Sequence, residues 1–381
     1  MTSKPTKVAL VMSRWARGGK EKFVYELATQ LSRERFQPII VTLERCDRAA
    51  FPLERSDIEV FCLDKARGND LRVVLRLARL LREQGVDIIH SNNWGTLVEC
   101  IAAAKLAGGR PVVHTQHGLD FGFEETGRLR SFLRLLVKRS VARWVSRFIA
   151  VSGEVCEVVR REWRVSGSKV QVITNGVAPM AVGVDGRERE EVRRELEIEP
   201  DSLLIGAVGW FRPVKDYPCL VEAMEQVARC LPQARLVIVG DGPLRGAIEA
   251  AIERHGVRAR VKVLGARRDV ARILSALDLF ALSSISEGIS LSILEAMSLK
   301  LPVVATRVGG NPEVVEDGVT GLLVAPRDPK EMARAMVEIL SDAPRRRLMG
   351  ERGHARYQER FSLGRMAAEY EELYRSVVAA P

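Results

Sequence analysis

Several features are missing from this chain of 381 residues, and each absence excludes a class of protein. No uninterrupted apolar run approaches the roughly 20 residues that a helix needs to span a bilayer. Residues 1–7 contain no signal-like apolar segment. Low-complexity tracts and internal repeats are also absent. We therefore expect a globular protein that neither spans a membrane nor follows the conventional secretion route.

Metal and redox motifs are missing as well. The six cysteines lie far apart, without the close pairing that zinc sites and redox motifs need. There is no Asp-x-Asp sequence, and the glycines after the first predicted strand lack the Gly-x-Gly-x-x-Gly spacing of dinucleotide-binding oxidoreductases. These absences predict reduced cysteines in a cytoplasmic protein and argue against a metal site and against hydride transfer.

Positive charge is concentrated in the first half of the chain. The formal net charge is +10, and residues 1–178 contain 30 Lys and Arg against 19 Asp and Glu, whereas residues 179–381 contain 29 and 30. A one-sided basic surface suits an acidic partner such as anionic lipid head groups or phosphorylated substrates, although such charge also favours solubility. No interleaved aromatic pattern accompanies it, so we do not expect a nucleic-acid partner.

Short apolar or β-branched runs alternate with longer segments of helical spacing. Such runs are typical of buried parallel strands, and the alternation predicts α/β domains with doubly wound sheets. A charged stretch at residues 185–199, which we expect to be a linker and an amphipathic helix, interrupts the pattern once. We therefore predict two Rossmann-like domains, residues 1–178 and 179–360, that face a central cleft. The predicted strands cover residues 7–12, 38–43, 58–63, 86–90, 111–115, 147–151, 170–173, 203–208, 235–239, 261–264, 278–282, 302–305 and 321–324.

Residues 283–297 carry the most informative pattern. They follow a predicted strand and contain Gly288, after which we expect a helix to begin near Ile289. The unpaired amides at such a helix end attract a phosphate group. Glu287 lies just before this helix and Glu295 about six residues inside it, so two carboxylates about 9 Å apart flank the anion site. This arrangement suits a nucleotide sugar, although a capping Glu and a solvated Glu give the same pattern.

Two further loops follow predicted strands at their carboxyl ends, where open α/β sheets bind ligands. Gly18 and Gly19 open a helix and let backbone amides approach an anionic group. Arg212 and Lys215 lie three residues apart and can clamp a diphosphate through charge-assisted hydrogen bonds. Tight turns and solvated surface charges explain each pattern equally well when it is taken alone.

A third loop contains two histidines. His117 follows the strand at residues 111–115 and can meet a substrate at the carboxyl end of the sheet. His114 lies on the strand itself, so we expect it to be structural. A loop histidine taken alone is also often a local hydrogen-bonding residue.

Taken together, these segments resemble the retaining GT-B glycosyltransferases of family 4. The resemblance covers nearly the whole chain, from the Gly18-Gly19 loop and residues 115–118 to residues 175–177 and the Lys215 loop. It is most specific in the Glu287-x7-Glu295 motif and in the segments that follow it in order, residues 302–310, 313–318 and 321–324.

The resemblance implies roles for the matched residues. It implies that Lys215 and a neighbouring Arg bind the donor diphosphate, that Glu295 binds the donor ribose and that Glu287 binds the transferred sugar. It also implies that His117 lies beside the reacting sugar and that the Gly18-Gly19 loop closes on the phosphates. The last helices, around residues 361–378, are implied to cross back onto the first domain. The expected main-chain contacts to the donor come from Gly288, Ile289, Ser290 and Leu291.

One departure from the family pattern concerns the diphosphate site. Family members usually have Arg directly after the glycine that corresponds to Gly209, whereas this chain has Trp210 there and Arg212 two residues later. We expect Arg212 to reach the same diphosphate from its shifted position. Trp210 also leaves open a function without catalysis, that of a module that only binds a nucleotide sugar.

The expected activity is retaining transfer of a hexose-type sugar from a UDP-sugar or GDP-sugar to a glycan or lipid-linked acceptor, in cell-surface polysaccharide or glycolipid synthesis. The assigned residues include no obvious carboxylate nucleophile, and the resemblance favours front-face substitution, in which a donor phosphate oxygen takes the acceptor proton. Neither a cofactor nor a metal ion is expected. A non-hydrolysing nucleotide-sugar 2-epimerase, which shares the two-domain architecture, is the alternative enzyme.

The acceptor side is expected in the basic half. Residues 128–147 contain seven cations and no acidic residue among apolar residues at helical spacing. Such a helix can lie on an anionic membrane surface, which would make the protein peripheral at the inner face of the cell membrane. The alternative is an amphipathic helix whose apolar stripe packs in the core and whose cations face water.

Overall fold

The chain folds into two compact units. A computed structural model describes residues 4–15, 18–44, 46–47, 57–66, 70–118, 128–181 and 187–379. The first unit combines the chain up to Gly176 with the segment from Leu363 onward, and the second unit is Val177–Ser362. Within the described residues, no helix combines the length and the apolar character needed to cross a bilayer.

The first unit contains a parallel sheet of seven strands in the order β3-β2-β1-β4-β5-β6-β7. The inner strands are buried on both faces, which is why they read as continuous apolar runs. The strands are β1 (Thr6–Met12), β2 (Phe36–Thr42), β3 (Glu59–Cys62), β4 (Ile88–Asn92), β5 (Val112–Gln116), β6 (Arg147–Ala150) and β7 (Val170–Val172). The helices are α1 (Gly19–Gln30), α2 (Leu71–Glu83), α3 (Trp94–Leu106), α4 (Arg128–Ala142) and α5 (Gly153–Glu162).

The second unit contains a parallel sheet of six strands in the order β10-β9-β8-β11-β12-β13. The strands are β8 (Leu203–Val208), β9 (Ala234–Val239), β10 (Val261–Gly265), β11 (Leu279–Leu282), β12 (Val303–Thr306) and β13 (Gly321–Val324). The helices are α6 (Arg187–Glu195), α7 (Tyr217–Cys230), α8 (Arg245–Arg254), α9 (Val270–Ser275), α10 (Leu291–Ser298), α11 (Asn311–Val314), α12 (Pro329–Ser341) and α13 (Ala343–Arg360). Every predicted strand overlaps an observed one, and the prediction of two doubly wound α/β domains is confirmed.

The last helix, α14 (Leu363–Ala379), packs in the first unit through polar side chains. The Tyr374 hydroxyl lies 2.6 Å from His90 Nδ1, and the Tyr370 hydroxyl lies 2.9 Å from Thr115 Oγ1. His90 Nε2 lies 2.7 Å from the same Thr115 oxygen, so the helix and two central strands share one buried hydrogen-bond cluster. Burial lowers the pKa of His90 to about 3.

The charged stretch predicted at residues 185–199 contains α6, which belongs to the second unit. Residues 182–186 lie outside the described part of the chain. Arg193 reaches the carboxylate of Asp278 at 2.6 Å and donates to the carbonyls of Ala276 and Ser202. Arg193 is buried and its guanidinium donates four hydrogen bonds, so this part of the stretch is anchored to the second unit.

Helix α4 turns an apolar side outward. Phe132, Leu133, Leu136 and Val137 are between 44% and 55% exposed, although at 100° per residue they share one sector of about 140°. The cations on the opposite side turn inward: Lys138 Nζ lies 4.9 Å from the ring centre of Trp163. The alternative in which an apolar stripe packs in the core is therefore wrong for these four residues, because cation–π contacts hold the basic side of this helix against the unit.

Candidate active site

Polar side chains gather at the point of the second sheet where the strand order reverses. This switch point lies between β8 and β11, and open α/β sheets bind ligands at the carboxyl ends of such strands. A 3-10 turn, Pro213–Lys215, follows β8, and its Val214 carbonyl accepts the Ile285 amide at 2.8 Å. The Ser283 hydroxyl donates to the Lys215 carbonyl at 2.9 Å. The loops after the two strands are therefore joined by one backbone hydrogen bond and by one hydrogen bond from a serine hydroxyl.

Lys215 and Glu287 form the charged centre of this site. Lys215 Nζ donates to Glu287 Oε1 at 2.6 Å, and the Ser284 hydroxyl donates to the same oxygen at 2.6 Å. Both side chains are less than one-fifth exposed, which strengthens the ion pair relative to one in water. Glu287 Oε2 and the remaining Lys215 N–H groups have no hydrogen-bond partner among the described residues. The pair can therefore both accept from a hydroxyl and donate to an anion.

Glycines let the site's loops approach each other closely. Gly309 has φ +55°, and a β-carbon there would overlap the carbonyl of Glu287. The next residue, Gly310, donates its amide to the Gly288 carbonyl at 2.7 Å. The carbonyl of Glu287 is thus approached more closely than a residue with a β-carbon at position 309 permits.

The helix after Gly288 begins later than predicted. Helix α10 starts at Leu291 rather than near Ile289, and Glu295 is its fifth residue. The start is delayed because the Gly288 carbonyl is occupied by Gly310 and because Ser290 is the extended N-cap residue. Ser290 forms no side-chain capping bond, so the first-turn amides have no side-chain acceptor from it. The Glu295 side chain is buried.

Arg212 and Trp210 shortly precede Lys215 in the sequence, and both side chains are exposed. Arg212 is the N-cap of the 3-10 turn, and its guanidinium has no ion pair or hydrogen bond with any residue that the structure describes. Trp210 is 47% exposed. The structure brings Lys215 and Glu287 into contact, and it leaves Arg212 free to bind a ligand.

Tyr217 is a buried residue of this site that the sequence analysis missed. Its hydroxyl has no hydrogen-bond partner among the described residues, and a β-carbon at Gly209 would lie 2.9 Å from it. Burial, together with the Glu287 charge, raises the pKa of Tyr217. Ser284, the second donor to Glu287, was missed as well. The available signal for Ser284 was a serine pair directly after a buried strand, whereas no sequence signal points to Tyr217.

In the first unit, Gly18 and Gly19 stand at the start of α1, after β1. Glu21 lies in the first helical turn and is buried against Gly18. A carboxylate therefore already complements the positive end of this helix. Residues 16 and 17 of the same loop lie outside the described residues.

His117 follows β5 and is held from β4. Its backbone amide donates to Asn93 Oδ1 at 2.9 Å, and its Nε2 lies 2.9 Å from Asn92 Oδ1. Phe23 packs edge-on against the imidazole with ring centres 4.5 Å apart. Burial lowers the pKa of His117 well below its ordinary value, and the Lys20 charge acts in the same direction. The sequence analysis missed both asparagines, whose signal was a polar pair ending an apolar strand.

His114 lies in the core, as its position on the strand predicted. Its Nδ1 lies 3.1 Å from the Ser91 hydroxyl. Burial lowers the pKa of His114 to about 3. No group of three or more His, Cys, Asp or Glu side chains with metal-binding geometry occurs among the described residues.

Solved structures share this fold. HepE from Anabaena in complex with UDP-glucose aligns with a TM-score of 0.83 and 25% identity over 97% of this chain and 99% of HepE. WaaG, a glycosyltransferase involved in lipopolysaccharide biosynthesis, aligns with a TM-score of 0.78 and 18% identity over 96% of this chain and 99% of WaaG. Two parallel-sheet units of this topology, with the polar cluster at the switch point, place the protein in the class of GT-B glycosyltransferases.

Sequence comparison narrows the class to one family. The sequence-family model described as glycosyl transferases group 1 matches residues 202–342, and the one described as glycosyltransferase family 4 matches residues 17–179. The chain is 30% identical over 293 residues to UDP-Gal:alpha-D-GlcNAc-diphosphoundecaprenol alpha-1,3-galactosyltransferase from Escherichia coli, which is 75% of this chain and 74% of that enzyme. It is 28% identical over 313 residues to N-acetyl-alpha-D-glucosaminyl L-malate synthase from Bacillus anthracis, covering 81% of this chain and 80% of that enzyme. The chain belongs to glycosyltransferase family 4, and it is a nucleotide-sugar glycosyltransferase.

Proposed function

We propose that the protein transfers a hexose-type sugar from a UDP-sugar to a glycan or lipid-linked acceptor, with retention of configuration and without a metal ion. The observation that carries this proposal is the Lys215–Glu287 pair at the carboxyl ends of β8 and β11. The choice of uridine is supported by HepE, which was solved with UDP-glucose, and by the Escherichia coli relative, which is named for UDP-Gal.

The second unit binds the donor in this proposal. The free N–H groups of Lys215 and the exposed guanidinium of Arg212 contact the diphosphate, together with the main chain from Gly288 to Leu291. Glu287 Oε2 accepts from a hydroxyl of the transferred sugar. Glu295 binds the donor ribose.

The proposed chemistry is the front-face substitution that the resemblance to family 4 favours. The bond between the sugar anomeric carbon and the diphosphate oxygen breaks while the acceptor oxygen attacks from the same face. The acceptor proton passes to the departing phosphate oxygen, and the nucleoside diphosphate leaves. Lys215 and Arg212 stabilise the negative charge that develops on that group. In the first unit, His117 contacts the reacting sugar and the Gly18-Gly19 loop contacts the phosphates.

Donor binding is tested by calorimetry with UDP, GDP and their sugars. We expect UDP to bind and Lys215→Met to lose about 10- to 100-fold in affinity, the worth of one or two charged hydrogen bonds. Lys262→Met is the matched control, because Lys262 pairs with Glu197 in the same unit away from this site. Equal UDP affinity for both variants would contradict the proposed diphosphate site, and preference for GDP would correct the base.

Turnover tests the reaction class. The anomeric configuration of the product, read by NMR, should match that of the donor, and inversion would contradict the proposal. Activity should survive EDTA. Loss with EDTA and recovery with Mg²⁺ or Mn²⁺ would overturn the metal-free view of leaving-group stabilisation.

Incubation of the protein with a UDP-sugar and no acceptor separates the alternative functions. A 2-epimerase would convert the sugar under these conditions, whereas the proposed transferase would not. Donor binding without turnover on any glycan or lipid-linked acceptor would favour a binding module.

The acceptor side is proposed to dock on an anionic membrane surface through α4. The supporting observation is the exposed apolar sector of this helix, in a segment with seven cations and no acidic residue. Trp144, just after the helix, is 60% exposed, and Lys105 Nζ lies 3.2 Å from its ring centre. Exposed aromatic and aliphatic side chains beside cations suit the boundary between lipid tails and anionic head groups.

Flotation with anionic liposomes tests this surface. We expect the protein to float at low salt and the double variant Leu133→Ser/Leu136→Ser to stay at the bottom of the gradient. The control is Leu71→Ser/Leu75→Ser, which removes two leucines of α2 that are equally exposed or more so. Equal flotation of both double variants would contradict a role for α4, and a wild-type protein that does not float would remove the membrane from the proposal.

A further inference from the structure

The amide of Asn92 shows which of its ends faces His117. Asn92 is the last residue of β4 and is buried. Its Nδ2 donates to the carbonyl of Val11 at 3.2 Å and to the carbonyl of His90 at 3.3 Å. Both amide hydrogens are thereby engaged, so the group that lies 2.9 Å from His117 Nε2 is the oxygen, a pure acceptor. Nε2 must therefore carry the hydrogen.

The neighbouring residue fixes the loop that carries His117. Asn93 Oδ1 accepts a hydrogen bond from the His117 backbone amide at 2.9 Å, and the Asn93 backbone amide donates to the Thr115 carbonyl at 2.9 Å. Asn93 itself has φ +62° and ψ 162°, a sparsely populated backbone conformation for a residue other than glycine, and these two hydrogen bonds hold it there. The backbone and the ring of His117 are thus each held by one asparagine.

We propose that Asn92 is a positioning residue that keeps His117 in the neutral Nε2–H tautomer and leaves Nδ1 as the ring's only lone-pair acceptor. Nδ1 has no hydrogen-bond partner among the described residues. The inference rests on the proposed function, in which His117 contacts the transferred sugar. It assigns the direction of that contact: His117 accepts a hydrogen bond from a sugar hydroxyl through Nδ1 and donates no proton to the reaction.

The charges around the ring agree with a neutral imidazole. The ammonium group of Lys20 on α1 disfavours the protonated form of His117, and His90 on β4 and His114 on β5 would act in the same direction only once they are protonated. Burial acts in the same direction and is the largest cause of the lowered pKa of His117. No carboxylate among the causes of this shift favours the imidazolium.

The tautomer can be measured without any activity, by ¹⁵N NMR of histidine-labelled protein. The His117 signals are assigned from their loss in His117→Gln. We expect a protonated Nε2 and an unprotonated Nδ1 in the wild type and a mixture of tautomers in Asn92→Ala. Ser91→Ala is the matched control, since Ser91 is buried on the same strand and bonds His114 instead. A wild-type Nδ1–H signal, or an Asn92→Ala spectrum with His117 unchanged, would overturn the proposal.

Kinetics then distinguish this inference from the proposed function. Asn92→Ala should lower kcat by about 100-fold, the cost of a misplaced catalytic group, while donor affinity of the second unit stays unchanged. Asn92→Asp restores an acceptor and adds a charge, so it should raise the pKa of His117 in the NMR titration and move the acidic limb of the pH–rate profile upward. If the tautomer behaves as expected but Asn92→Ala turns over normally, the role of His117 in the proposed function is wrong, while the positioning by Asn92 stands.

Discussion

Acid should destabilise the first unit through His90 and His114, in addition to His117. His90 and His114 both have their pKa lowered to about 3 by burial, against about 6.5 in the unfolded chain. Between these values the unfolded chain binds a proton on each histidine and the native unit does not. Stability therefore rises with pH through this window and is lost as the pH falls below about 6.5. The loss is about 1.4 kcal/mol per pH unit for each histidine, which amounts to about 4 kcal/mol for the pair at pH 5.

Urea unfolding at a series of pH values, followed by tryptophan fluorescence, measures this effect. In a Trp210→Phe background the fluorescence reports the first unit alone, since the other four tryptophans all belong to it. Between pH 4 and pH 6, we expect the unfolding free energy of His90→Gln to change less steeply with pH than that of the wild type. The difference in slope should be about 1.4 kcal/mol per pH unit. Thr115→Val removes the hydroxyl that bonds His90 and Tyr370, so it should lower stability by about 1–3 kcal/mol at every pH and keep the slope.

A His90→Gln variant whose unfolding free energy keeps the full wild-type slope against pH would refute this prediction. That result would mean that His90 is protonated in the native unit, which contradicts its burial between Tyr374 and Thr115. A wild-type unit with no loss of stability between pH 6.5 and pH 5 would refute the burial argument for both histidines.

Three further predictions concern the second unit. Gly309→Ala should lower UDP affinity at least about tenfold because its β-carbon displaces the Glu287 backbone. Gly318 also has a positive φ but lies in open space, so Gly318→Ala should lower only stability. Equal UDP binding by both variants would contradict the role of the close contact at Gly309. Tyr217→Phe should leave urea stability unchanged or raise it by up to about 1 kcal/mol, because the removed hydroxyl is buried and no described residue bonds it. A clear loss of stability would show that the hydroxyl is hydrogen-bonded. Arg212→Ala should weaken UDP binding in calorimetry, and unchanged affinity would remove Arg212 from the diphosphate site.

The fold could be predicted because parallel strands are buried on both faces. Runs such as residues 203–208 and 302–305 are then apolar without interruption, and their alternation with helical segments defines the sheets. The start of α10 was missed by two residues because its delay depends on the Gly310–Gly288 hydrogen bond, which the local sequence does not encode.

The site could be predicted only in part, because its contacts join residues far apart in the chain. Lys215 and Glu287 were both singled out from their positions after strands, but their ion pair spans 72 residues and was not foreseen. The same reason left two alternatives open for the apolar face of α4, outward or packed in the core. Helical spacing reveals a stripe, but the side that packs inward is decided by Trp163, which holds Lys138.

A structure of the protein with UDP tests the donor site most directly. The expected result places the diphosphate within hydrogen-bond distance of Lys215 Nζ and the amides at the start of α10, with the ribose at Glu295. A nucleotide bound away from Lys215, Glu287 and Glu295 would contradict the assignment of the second unit as the donor-binding unit.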